Sequence, residues 1–198
     1  MLVGAVLVVS GCTTSLAGQP QPVSSTGRSS QGGSSSGAAA TSLPPRPAEL
    51  SVAGVDPCAL LPPDQRASLE IDQPPNRGNG TGDPLIGRTP LCSYSVAAWG
   101  AYGVQVSSTF TVAAWIEKTR NLAQENRVTS VAGYPAVVTY AARESGGCIV
   151  LVDIAADSVL ALTIRDRRDY AMHDGKVVCA NAEKAAGVAL TTLRALQK

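Results

Sequence analysis

Between Gln19 and Pro47 the chain is built from Ser, Gly, Pro, Ala and Gln, with Val23 and Leu43 as its only sizeable apolar side chains. Such a stretch cannot bury enough apolar surface to offset the entropy lost on ordering, so it is expected to be a flexible tether rather than part of a core. From about Leu50 to Lys198 the pattern changes to alternating apolar segments. That length suits one domain with a sizeable core and is too short for two. The low-complexity tract therefore confines everything that can fold to the C-terminal three quarters of the chain.

What precedes the tether reads as an address. MLVGAVLVVSGC places an apolar run, Leu2 to Val9, before Ser10, Gly11 and Cys12. This is the pattern of a secretory h-region followed by small residues at a cleavage site. The run is too short to cross a bilayer, for which a helix needs about 20 apolar residues. Val9-Ser10-Gly11-Cys12 resembles the bacterial lipobox, in which the cysteine takes a diacylglyceryl group and becomes the first residue of the mature chain. No Lys or Arg precedes the run, so the natural start is expected to lie further upstream. Residues 1–11 are thus read as a signal peptide, 12–50 as lipidated Cys12 plus tether, and 51–198 as a single globular domain. A tether of this composition would hold the domain roughly 30 Å from the membrane.

Lys and Arg number 16 against 15 Asp and Glu, and neither sign forms a block. A nucleic-acid partner is not expected, because phosphate binding needs a basic stripe. Arg165, Arg167 and Arg168 interleave with Asp166 and Asp169 and read as a solvated turn. Asn79-Gly80-Thr81 matches a glycosylation sequon and is read as a chance match.

With Cys12 set aside, Cys58, Cys92, Cys148 and Cys179 remain. An even set in an exported chain reads as a disulfide framework, for which three connectivities exist. Their spacing is unlike that of a zinc site, and no metal or cofactor is expected. Sequential pairing is the expectation. Cys58 with Cys92 would clip the first helical turn to the first strand, and Cys148 with Cys179 would staple the last helix across the sheet.

Asp56-Pro57 is a helix start, with Asp as N-cap and Pro at the first helical position. Pro62-Pro63 restarts a short helix through Leu69. Residues 70–91 hold so much Gly and Pro that they read as one long loop. Cys92 to Ala98 and Gly103 to Phe110 alternate as strands with one wet face, carrying Gln105, Ser107 and Thr109 in the second. Residues 111–125 read as an amphipathic helix with Trp115 in the core. Strands follow at Val128 to Val131, Pro135 to Ala142, Cys148 to Ala155 and Val159 to Arg165. CIVLVDIA, apolar on both faces, reads as the central strand. Lys176 to Leu196 closes the chain as a helix whose stripe is Val178, Ala182, Ala185, Ala189, Leu193 and Leu196. Short links imply antiparallel pairing, so the fold class expected is α+β, with helices packed on a twisted, mainly antiparallel sheet.

The lipobox cysteine, the Ser/Gly/Pro tether, the DPCALL turn around Cys58, LCSYSV, GYPAV and CIVLVDIA together resemble the actinobacterial lipoproteins of the DUF3558 family. The resemblance implies an envelope lipoprotein with an α/β/α sandwich similar to the PsbP and Mog1 type, and it transfers no catalytic residue. A non-catalytic module binding a small molecule, a lipid or an envelope protein on the outer face of the cytoplasmic membrane is the function expected. Two alternatives stand beside it. One is a carboxylate-based hydrolase using a pair from Asp153, Asp157, Asp166, Asp169 and Asp174. The other is a structural or assembly role. A Ser/His/Asp triad would have to use His173, the single histidine, which lies beside Asp174 and reads as a turn residue.

Overall fold

The structure, a computed structural model, describes residues 43–79, 89–119, 125–141, 147–166 and 174–197. Cys12, His173, Arg167, Arg168 and Asp169 lie outside the described residues. The domain opens with a 3-10 turn at Pro57–Ala59, helix α1 at Pro63–Arg66 and a second 3-10 turn at Ala67–Leu69. Strands β1 (Asn76–Asn79), β2 (Pro90–Val96) and β3 (Gly100–Ser107) follow, then helix α2 (Val112–Thr119). Strands β4 (Glu125–Val131), β5 (Tyr134–Ala141), β6 (Gly147–Ala155) and β7 (Ser158–Asp166) lead to helix α3 (Gly175–Ala195).

Among the described residues the strands form one sheet in the order β1-β2-β3-β7-β6-β5-β4, and every neighbouring pair is antiparallel. Two meanders, β1 to β3 and β4 to β7, lie side by side through the β3–β7 pairing. The chain must cross from β3 to the far edge, and α2 lies on that crossing. Val112, Trp115 and Ile116 of α2 pack with Val137, Leu151, Val159 and Ala161 on one face of the sheet. The opposite face carries α3, whose Ala182, Ala185, Ala186 and Ala189 are fully buried. Small side chains along that stripe let the helix axis come close to β6 and β7. The result is the expected α+β fold, with a helix on each face of an antiparallel sheet.

Several sequence expectations are corrected here. Residues 70–91 are not wholly loop, because Asn76–Asn79 pairs with β2 from Asn76 opposite Ser93 to Asn79 opposite Pro90. Its residues are all exposed, so main-chain pairing with β2 defines the strand and no alternation marks it, although Arg77 also reaches Asp56. The helix expected over 111–125 is described only to Thr119, and Glu125 already pairs with Tyr140. Gln105 and Ser107, expected on a wet face, are buried. Gln105 reaches the Thr89 hydroxyl and Ser107 the Thr109 hydroxyl, so both are hydrogen-bonded where they lie. β7 rather than β6 occupies the centre of the sheet, although β6 is interior and covered on both faces. Leu196 caps the end of α3 and is 57% exposed rather than part of its stripe. Finally, the packed unit begins before Ser51, because Leu43 and Leu50 both join the core clusters.

Candidate functional site

Two disulfides hold the frame. Cys58 is bonded to Cys92 and Cys148 to Cys179, with Cα separations of 5.0 and 5.1 Å. These are the sequential pairings expected, and both distances fall within the ordinary range. Around the first bond, the Asp56 carboxylate caps its turn by accepting from the Cys58 N–H at 2.9 Å. The same carboxylate takes the Arg77 guanidinium at 2.6 Å. Arg77, and then the Cys58 N–H, hold the Asp56 carboxyl below the usual carboxylate range. Tyr94 donates its hydroxyl to the Cys58 carbonyl at 2.9 Å, and its burial raises the phenol above its ordinary value. The 3-10 turn at Pro57–Ala59 is therefore fixed to β2 by the disulfide and the Tyr94 hydrogen bond, and to β1 by the ion pair of Asp56 with Arg77.

The segment Leu43–Leu50 wraps the end of the sheet where β6 turns into β7. Leu43 packs against the cluster under α2, and Leu50 joins the cluster on the opposite face. Between them Arg46 donates to Asp153 at 2.7 Å, in a pair whose side chains are 26% and 10% exposed. Asp153, first of all, holds the Arg46 guanidinium above its ordinary value. The Leu50 N–H donates to the Ile154 carbonyl at 2.9 Å. The Gln197 side chain accepts from the Ser51 N–H at 3.0 Å and donates to the Ser51 carbonyl, tying the C-terminal end of α3 to the same segment.

Beside this segment lies an open cleft of about 900 Å³. Ser107, Ser108, Thr109 and Ser158 contribute hydroxyls to it, and Gln197 an amide. Glu49 and Asp157 add carboxylates, while Val52, Val55 and Val106 supply apolar surface. Among the described residues none of its lining groups is Lys, Arg or His. These groups offer hydrogen bonds and apolar contact, and the carboxylates of Glu49 and Asp157 favour a polar, uncharged or cationic ligand.

Three of the carboxylates considered for hydrolysis are otherwise engaged. Asp153 pairs with Arg46, Asp157 accepts from the Ser158 hydroxyl at 2.9 Å, and Asp174 caps α3 by accepting from the Lys176 N–H at 2.9 Å. Asp166 ends β7. Of the described candidates, Asp153 and Asp157 lie at the β6–β7 hairpin, whereas Asp166 and Asp174 lie toward the opposite end of the sheet, where β6 begins. Among the described residues no three His, Cys, Asp or Glu side chains gather as a metal site. Nor is any described helix long and apolar enough to cross a membrane. The sequence reading missed Arg46, which among the described residues of the expected tether makes a part-buried ion pair. Its signal was the run Leu43-Pro44-Pro45-Arg46-Pro47, whose prolines set its composition apart from the Ser/Gly-rich sequence before it.

Fold and site together define a class: an antiparallel α+β domain, stapled twice by disulfides, with helices on both faces and an open polar cleft at one end of its sheet. The chain belongs to the family described as protein of unknown function (DUF3558), whose model matches residues 7–192, a span that includes Cys12 and the four paired cysteines. No curated protein and no solved structure matches the chain, so the expected likeness to the PsbP and Mog1 type has no solved counterpart.

Proposed function

We propose that the protein is a cell-envelope lipoprotein of the actinobacterial type, anchored by lipid on Cys12 to the outer face of the cytoplasmic membrane, and that its domain is a non-catalytic binding module. The observation that carries the binding reading is the open cleft at the β6–β7 end of the sheet, with hydroxyls of Ser107, Ser108, Thr109 and Ser158 beside the apolar Val52 and Val106. Convergent polar groups over apolar surface on a rigid frame suit reversible capture of a small molecule, a lipid headgroup or a segment of an envelope protein. The lipobox pattern at Cys12 supports the anchor. The two disulfides support an oxidising compartment, where such bonds persist.

Two measurements test this reading. Cys12→Ala should move the protein from the membrane to the soluble exported fraction; retention on membranes after a high-salt wash would rule out the Cys12 anchor. Native mass spectrometry of the protein purified from its own host should show a bound mass that is reduced by Ser107→Ala combined with Thr109→Val. A bound mass unchanged by that double substitution would place the ligand elsewhere.

A further inference from the structure

The segment that wraps the sheet end has a chemistry of its own, separate from the open cleft. Pro44, Pro45 and Pro47 have their own φ fixed near −65°, and the residue before each is pushed out of the helical region. Leu43, Pro44 and Arg46 are those residues, so the stretch is held extended by its covalent structure and needs little further ordering to dock. It is held by Leu43 in the apolar cluster under α2, by Arg46 on Asp153, by Leu50 in the opposite cluster and, just past its end, by the two hydrogen bonds of Ser51 with the Gln197 side chain. Among the described residues, its one backbone hydrogen bond to the rest of the domain is that from Leu50 to Ile154. An open cavity of about 440 Å³ lies along the strap, lined by Pro44, Pro45, Arg46 and Glu49 of the strap and by Asp153 of the sheet.

The geometry points to a docking groove at the β6–β7 end of the sheet for an extended, proline-rich segment bearing an arginine, a groove occupied in cis by the chain's own Leu43–Leu50. Asp153 is what gives the groove its selectivity. With the strap displaced, Asp153 loses the Arg46 guanidinium that pairs with it, and a second arginine on the same seat would restore that charge pair. Extended proline-rich ligands lose little conformational entropy on binding, and here an apolar anchor and a charge three residues apart fix their register. The strap is held by few contacts, and segments held in this way open at low free-energy cost. A competing segment from an envelope partner then exchanges with it, and the strap acts as an internal competitor.

The test uses the full chain carrying Leu43→Ser with Arg46→Ala, and a fluorescent peptide of sequence LPPRPAEL followed by anisotropy. Saturable binding to this variant is expected. The unaltered chain, and the variant further altered by Asp153→Asn, should each bind at least about tenfold more weakly. A peptide with citrulline in place of arginine should show the same loss on the strap variant. If the double substitution prevents folding, Arg46→Ala alone, which leaves Leu43 seated, is read in the same way. A folded variant that takes up no peptide, or that binds the arginine and citrulline peptides equally, would overturn the proposal. Self-association of the variant without peptide uptake would overturn it too.

Discussion

Thr139 is fully buried on β5, and its hydroxyl stands at the centre of a closed set of hydrogen bonds. It accepts from the Trp115 indole at 2.8 Å and donates to the Asn126 side chain at 2.6 Å. Asn126 in turn donates to Thr119 at 2.6 Å, and Thr119 donates back to the Trp115 carbonyl at 2.7 Å. The ring orients α2 on its face of the sheet, because turning the helix would leave a buried indole N–H without an acceptor. Thr139→Val keeps the shape and removes both bonds, so it should destabilise by about 2–4 kcal/mol in urea unfolding, with the slope unchanged. Tyr102 shows the other side of polar burial. Desolvation first, and the Glu70 carboxylate second, push its phenol up to about 12 from an ordinary 10.0. A raised pKa means the contribution is fully present below pH 10 and is lost as pH climbs toward about 12. Stability should therefore fall across that window, and Tyr102→Phe should flatten the fall when unfolding is compared at pH 9 and pH 11. The N-cap role of Asp56 was legible in DPC, since capping is local chemistry. The Thr139 ring was not, because Thr and Asn in strands carry no mark of what lies across from them.

Among the elements, α3 depends most on a single covalent link. Cys148 lies at the start of β6 and Cys179 one turn into the helix, with a sequence separation of 31. In the chain-entropy view, a loop of that size confers about 3–4 kcal/mol through the unfolded state. Cys148→Ala with Cys179→Ala should lower stability by that amount, and reducing agent should no longer shift the melting temperature through this bond. The bond between Cys58 and Cys92 would continue to respond. The helix itself was readable from its stripe, and most of the strands from their alternation, because both patterns record which side faces the core. β1 escaped that reading. Its four exposed residues pair through the main chain with β2, and the one side-chain tie described for it, Arg77 to Asp56, carries no mark of a strand in the sequence.

For the whole molecule, the strap moves the boundary of the fold. The composition of the tract before Ser51 predicts that cutting there costs nothing, yet Leu43, Arg46 and Leu50 all make tertiary contacts. A chain beginning at Ser51 should be less stable than one beginning at Ala39 by about 2–4 kcal/mol, chiefly from exposing the seat of Leu50. Equal melting temperatures would show that the strap contributes nothing net. By itself the amino-acid pattern determined where helices and most strands form and that the fold is α+β, since each follows from local periodicity, while of three cysteine connectivities it favoured the sequential one that the structure shows. Tertiary structure alone decided the strand order, with β7 at the centre, the burial of Gln105 and Ser107, the ring around Thr139, and the cleft and strap at the β6–β7 end. The physical reason is common to all of these. They depend on groups far apart in sequence, such as Arg46 and Asp153, meeting only when the sheet has closed, and a polar side chain carries no sequence mark of the partner that will satisfy it.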